Sequence, residues 1–225
     1  MSFIRADLKN AAKEQLRGKW NYAVLVVFIY TVIVGVVSVV FYQLQSNEMF
    51  SPVPFINLLS ILVTAPLMIG MIMYFFAIAG NAEQPEVTLM FQGFSYYGKS
   101  IGISLWTTLW VILWSLLFIV PGIIKAIAYS QAFYVIAENP DVKVVDALKT
   151  SIKMTNGNKG MIFVMYLSFI GWALIGALTL GIGYLWLGPY MTTTFCNMYL
   201  KLKEISLMNG ICLPSDFMGA KLKSK

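Results

Sequence analysis

The chain has 225 residues, 59% hydrophobic and 12% charged, with no His, two Cys and a formal net charge of +6. An ordinary soluble domain carries about 45–50% apolar and about 25% charged residues, and a disordered chain carries little apolar residue at all. These figures exclude a disordered segment, a disulfide-stapled secreted module and a basic nucleic-acid-binding domain, which needs polar surface that this chain lacks; they leave an integral membrane protein.

In chain order, the first element is an amphipathic stretch over 3–17. Arg5, Lys9, Lys13 and Arg17 recur at four-residue spacing, while Ile4, Leu8, Ala11, Ala12 and Leu16 share another face. Such a helix suits the headgroup boundary, where each cation facing anionic lipid contributes about 1 kcal/mol. The competing reading is a helix packed on the membrane bundle as a cap. An uncharged run over 22–42 follows, about 31 Å as a helix, which matches a hydrocarbon core. No small-residue cleavage pattern follows it, so it is expected to be a permanent helix. A second run, 56–79, contains Pro66, which a membrane helix tolerates when neighbours satisfy the freed carbonyl.

The run over 100–137 carries one charge, Lys125, and as one helix would be about 57 Å long. It must turn, and Pro121-Gly122 is its strongest breaker, giving spans of 101–120 and 123–137. The uncharged run over 161–200 poses the same problem, and Gly181-Ile182-Gly183 breaks it into 161–180 and 184–200. The expected architecture is all-α: a polytopic membrane protein with six transmembrane helices in three hairpins. One membrane domain covers 1–204, followed by a basic cytoplasmic tail over 205–225.

All of the 16 Lys and Arg except Lys125 fall on one side of this topology. By the bias of cations toward the cytoplasm, both termini are expected there. Each hairpin follows an amphipathic stretch and a Gly/Lys step, at Gly18-Lys19, Gly98-Lys99 and Gly157-Asn158-Lys159. This threefold pattern predicts short interfacial helices on the cytoplasmic face. In the last of them, Val144, Val145, Leu148 and Ile152 oppose Lys143, Lys149 and Lys153.

Catalytic and metal-binding groups are scarce. Without His, and with only Cys196 and Cys212, no His/Cys ligand set for a metal assembles. Every Asp and Glu falls outside the expected spans, so no intramembrane carboxylate dyad is available. No cofactor and no enzymatic activity are expected. Lys125 is the one ionisable residue inside a span, where a cation costs about 2.5–3.5 kcal/mol. Either it faces a cavity and meets an anionic ligand or lipid headgroup, or it snorkels to the outer interface; a Ser–Lys pair with Ser115 or Ser130 is a third, remote reading. Gln131 is of the type that bridges helices. Trp106, Trp110 and Trp114 form a stripe on one helix, and Trp172 and Trp186 read as interface markers.

Several motifs sit in a recognisable order: Leu16-Arg17-Gly18-Lys19-Trp20, Phe91-Gln92-Gly93-Phe94, Val120-Pro121-Gly122-Ile123-Ile124-Lys125 with Tyr129, Glu138-Asn139-Pro140, Leu167-Ser168-Phe169-Ile170-Gly171-Trp172, and Leu178-Thr179-Leu180-Gly181-Ile182-Gly183 leading to Pro189-Tyr190. On these the chain resembles the uncharacterised bacterial membrane family catalogued as domain of unknown function 975, over almost all of its length to about residue 204. One departure is Met198-Tyr199, where the family has a Phe-Tyr pair. The resemblance implies a six-helix membrane protein and no established activity. It marks Gly18, Trp20, Gly93, Pro121, Gly122, Gly171, Trp172, Gly181, Gly183, Pro189 and Tyr190 as structural motif positions, and strengthens Lys125 and Tyr129 as ligand or lipid contacts, for which Gln131 is a further candidate.

The expected function is therefore non-enzymatic: binding of lipid, an amphipathic peptide or a membrane-protein partner, in envelope homeostasis or resistance to membrane-active peptides. Arg5, Lys9, Lys13, Arg17, Lys143, Lys149 and Lys153 would meet anionic headgroups. The alternative is a small transporter or transporter subunit with a cavity near Lys125.

Overall fold

The structure is a computed structural model and describes residues 4–46, 53–83 and 85–219. Lys221, Lys223 and Lys225 of the basic tail, and residues 47–52 between the first two spans, lie outside these residues. Among the described residues the chain is entirely helical: α1 (Arg5–Gln15), α2 (Trp20–Ser46), α3 (Val53–Ala79), a 3-10 helix (Val87–Tyr96), α4 (Tyr97–Leu117), α5 (Ile119–Tyr129), α6 (Ala132–Glu138), α7 (Val144–Thr155), α8 (Lys159–Leu167), α9 (Ile170–Leu178), α10 (Tyr184–Met208) and a last 3-10 turn (Pro214–Phe217).

Five segments are long and apolar enough to cross a membrane: Trp20–Gln43, Ser60–Ala79, Val87–Leu116, Ile119–Glu138 and Lys159–Leu178. The sixth expected span, 184–200, is not among them. It lies in α10, whose run of Thr192, Thr193 and Thr194, with Asn197 and then Lys201 and Lys203, makes it too polar. The helix is nonetheless central, since Thr193, Thr194, Cys196, Met198, Tyr199 and Leu202 are all fully buried. The Thr193 and Thr194 hydroxyls donate to the carbonyls of Pro189 and Tyr190 one turn back, so α10 buries polar side chains without leaving them unpaired.

The third run turns earlier than its breaker. Phe118 is extended (φ −159°, ψ 145°), and Pro121 sits in the first turn of α5. The reason is steric: a proline ring clashes with the carbonyl four residues back, here Leu117, so the helix must break before Pro121 and restart with the proline where no N–H is needed. Gly122 then lies directly on α4, where an added Cβ would be 2.2 Å from Ser115 Oγ and 3.0 Å from Ser115 Cα. A second break, at Ser130–Gln131, separates α5 from α6, and the fifth apolar segment breaks at Ser168–Phe169 between α8 and α9.

The internal repeat holds at two of its three steps. Gly18 and Gly157 both have φ +78°, a left-handed conformation that suits glycine. In each case the following N–H closes the same turn, Lys19 to the Leu16 carbonyl (2.9 Å) and Asn158 to the Thr155 carbonyl (3.0 Å). Gly98 instead continues into α4.

The short helices are packed into the fold. Ala12 of α1 and Leu16 just after it are completely buried, as are Ala147 and Ser151 of α7. The stretch over 86–97 lies on α3 with its backbone: Gly93 touches the Pro66 carbonyl and Gly70 the Met90 carbonyl so closely that a Cβ at either would come within 2 Å. The expected tail is part of the fold as far as Gly219. Asp216 pairs with Lys153 (3.0 Å), its carbonyl accepts from Thr150, and Phe217 is buried with its carbonyl bonded to Asn139.

Candidate functional site

The cationic helix α1 is clamped along α10. Gln15 and Asn197 exchange two amide hydrogen bonds (3.3 and 2.8 Å), and Gln15 also donates to the Ala79 carbonyl at the end of α3 (2.9 Å). With its apolar face used in this way, α1 directs its lysines at the α8–α10 region. Lys9 Nζ donates to the Ser168 carbonyl (3.2 Å), at the α8–α9 break, and stands 4.1 Å from the Phe169 ring centroid. Desolvation, then the charges of Arg5 and Lys13, lower its pKa below 10.5. Lys13 Nζ stands 5.5 Å from the Tyr190 ring, which meets Phe169 edge-on at 5.5 Å. Two cations therefore sit over two touching aromatic rings. Arg5 and Arg17 are exposed.

Beside Lys13 lies a cavity of about 510 Å³. Its walls are aromatic: Trp20 from the start of α2, Trp172 from α9, and Trp186 and Tyr190 from α10. Ile175 and Leu187 add apolar surface, and Gly176 and Gly183 line the end at the α9–α10 turn. The local sequence builds that end. Leu180 (φ 54°) and Gly181 (φ 90°) reverse the chain. The Thr179 hydroxyl donates to the Gly176 carbonyl (2.8 Å) and accepts from the Gly183 N–H (2.9 Å). Gly183 then approaches so closely that its Cβ would be 2.9 Å from Gly176 Cα. Trp172 and Trp186 remain about half exposed, at 53% each, which leaves the cavity open.

Sequence reasoning placed the Gly181 turn on the opposite face from the N-terminal cations. Lys13 and Gly183 both line this cavity. The break at Ser168–Phe169, which had no Pro or Gly to announce it, lets α9 and the start of α10 return toward α1.

The residues around Lys125 form a different arrangement. Lys125 is half-buried and its Nζ stands 4.9 Å from the Trp114 ring, back toward the α4–α5 turn. Side chains on a helix lean toward its N-terminus, which for α5 is that turn. No hydrogen bond joins Lys125 to Ser115 or Ser130; Ser130 donates to the Ile127 carbonyl. Tyr129 is buried, and Gln131 is completely so. The Gln131 backbone N–H donates to Ser151 Oγ (3.2 Å), which donates to the Ala128 carbonyl (2.6 Å), and its Nε2 donates to Ser130 (2.8 Å). Gln131 thus ties the α5–α6 break to α7. None of four cavities resolved in the fold is lined by Lys125, Tyr129 or Gln131.

The other nominated residues are dispersed. Lys143, just before α7, and Lys149 on it are exposed, and Lys153 pairs with Asp216. Gly93 and Gly122 are close-packing positions, Gly171 faces open space, and Pro189 is buried inside α10. On α6, Glu138 accepts from Tyr199 (2.7 Å) and Lys203 (2.7 Å); burial and the adjacent carboxylate push the Tyr199 hydroxyl pKa up. Among the described residues no group of His, Cys, Asp and Glu is placed to hold a metal. The cavity gathers Lys13, Trp20, Trp172, Gly183 and Tyr190 from the sequence candidates and adds Ile175, Gly176, Trp186 and Leu187. One signal for it was available: Trp172 lies four residues before Gly176 and Trp186 three after Gly183, mirrored about the turn.

No curated protein and no solved structure matches the chain. One family model does, described as a protein of unknown function (DUF975), over residues 1–128 and 116–206. The chain belongs to the DUF975 family.

Proposed function

We propose that this protein is a non-enzymatic, multi-pass protein of the bacterial cytoplasmic membrane that binds an anionic amphiphile, a phospholipid above all, in the tryptophan-lined cavity. The observation that carries the reading is the pairing of about 510 Å³ of largely apolar, aromatic-walled space with Lys13 at its edge. Acyl chain suits the tryptophan and leucine walls, and a phosphate or carboxylate suits Lys13, with Lys9, Arg5 and Arg17 extending the positive stripe along α1. Ligand pockets of this kind combine apolar walls with a few placed polar groups.

In the same reading, both termini are cytoplasmic, and α2/α3 and α4/α5–α6 cross fully. The α8–α10 hairpin enters and leaves by the cytoplasmic face, which keeps the termini together and brings the cavity within reach of inner-leaflet headgroups. Native mass spectrometry of the full chain, gently extracted from membranes, tests the function. One retained equivalent of anionic lipid is expected, reduced about tenfold by Trp172→Ala and about fivefold by Lys13→Gln. Retention of zwitterionic and anionic lipid alike, unchanged in both variants, would overturn it.

A further inference from the structure

A second cavity, of about 320 Å³, lies between the apolar helices and has a different chemistry. Its lining comes from four of the five apolar segments: Tyr30 of α2, Thr64 and Met68 of α3, Ser104 and Thr107 of α4, and Phe133 of α6. No charged side chain lines it, so an ion entering would lose its hydration without a counter-charge. Every polar side chain in its lining carries a hydroxyl, and the others are aliphatic, aromatic or thioether.

Thr107 makes this space unusual. On α2, α3 and α10, Thr31, Ser38, Thr64, Thr193 and Thr194 fold their hydroxyls back onto the carbonyl four residues earlier, the usual way to satisfy such a group inside a helix. Thr107 Oγ1 is buried with no partner among the described residues. An orphaned buried hydroxyl costs about 1–3 kcal/mol, and this one belongs to a residue that lines a cavity together with the buried Ser104.

The geometry points to a binding site for an uncharged hydroxylated molecule, such as a glycerol-type frame, in the space between α2, α3, α4 and α6. Hydroxyls both donate and accept, so Tyr30, Ser104 and Thr107 suit neighbouring hydroxyls on a ligand. Met68 and Phe133 suit its carbon frame. The volume falls at the small end of ordinary ligand pockets and is about ten times the share of one water molecule. Two sources offer this chemistry: the headgroup of a neutral glyceride in the bilayer, or a free polyol.

The test uses the full chain in lipid nanodiscs with two probes, radiolabelled glycerol and dioleoylglycerol, against Thr107→Val and Ser104→Ala. Thr107→Val is nearly isosteric and removes an unpartnered oxygen, so its unfolding temperature without ligand is expected to stay level or rise, which separates lost binding from lost folding. One probe bound at one equivalent by the wild type, and about tenfold more weakly by Thr107→Val, is the expected result. Glycerol binding identifies a free polyol as the source; binding of dioleoylglycerol alone identifies a lipid headgroup. If neither probe binds the wild type, or if both variants bind as well as the wild type, the cavity holds only water and the inference is overturned.

Discussion

Lys125 and Lys13 each hold an ammonium near an aromatic ring, 4.9 Å from Trp114 and 5.5 Å from Tyr190. The hairpins around them differ. At α4–α5 the glycine closes the gap, because Gly122 sits on the Ser115 backbone. At α9–α10 the glycines Gly176 and Gly183 pack on each other, and the tryptophans flanking them stand apart around about 510 Å³ of space. A cation in an apolar setting is thus not in itself a site. It becomes one where the packing leaves room beside it.

The largest way to break this contrast is at the closed hairpin. Gly122→Ala forces a Cβ onto Ser115 and is expected to destabilise the protein by about 1–3 kcal/mol, read as a lower unfolding temperature in detergent. Gly171→Ala meets nothing within 4 Å and gains helix propensity, so its unfolding temperature should hold or rise. If the two variants behave alike, the hairpins do not differ in packing as described.

Next in size are the tryptophans. Trp172→Ala is expected to weaken anionic-lipid retention about tenfold, whereas Trp114→Ala leaves it unchanged. The lysines give a smaller effect in the same assay. Lys13→Gln costs about 1 kcal/mol, and the difference from wild type shrinks as salt rises. Lys125→Gln leaves retention alone and costs stability only about 0.5–1 kcal/mol, through its contact with Trp114. Loss of retention on Lys125→Gln would return the site to the α4–α5 hairpin.

The smallest effect concerns pH. The folded-state pKa of Lys9 lies below 10.5 because burial and its cationic neighbours disfavour the charged form. The resulting penalty is fully present at low pH and is relieved as pH rises through the lowered value toward 10.5. Stability should therefore increase slightly with alkalinity over that window, and Lys9→Met should flatten the rise.

Much of this fold was legible because membrane helices write themselves as uncharged runs. The spans at 22–42 and 56–79 fall inside α2 and α3, and the need for a turn between 100 and 137 followed from length alone. Breaks were less legible. Pro121 announced a turn but not its position, since its ring acts on Leu117, one turn upstream. Ser168–Phe169 carries no breaker, and Lys9, far away in sequence, holds the exposed carbonyl there. The role of α10 was hidden for a related reason: residues 184–200 carry no charge and so read as a span, although Thr192, Thr193, Thr194 and Asn197 make them polar.

The cavity was legible only in its parts. Lys13, Trp20, Trp172, Gly183 and Tyr190 each stood out, but as members of different groups: an interfacial stripe, a membrane belt and a set of packing motifs. What unites them is the return of α9 and α10 toward α1, a tertiary arrangement that no local pattern encodes. Lys125 drew attention for the opposite reason, since a lone charge in an apolar run is conspicuous in sequence whatever surrounds it in space.

Tryptophan quenching by brominated phospholipid tests binding in this cavity most directly. Of the six tryptophans, Trp106, Trp110 and Trp114 lie on α4; replacing all three with Phe leaves Trp20, Trp172 and Trp186, all at the cavity. In nanodiscs with a small fraction of brominated anionic lipid, quenching should saturate at about one lipid per protein and need about fivefold more of that lipid with Lys13→Gln. The same fraction of brominated zwitterionic lipid should give only weak, unsaturated quenching. Equal quenching by both lipids, unaffected by Lys13→Gln, would show that the tryptophans only border the bilayer and that the cavity holds no specific lipid.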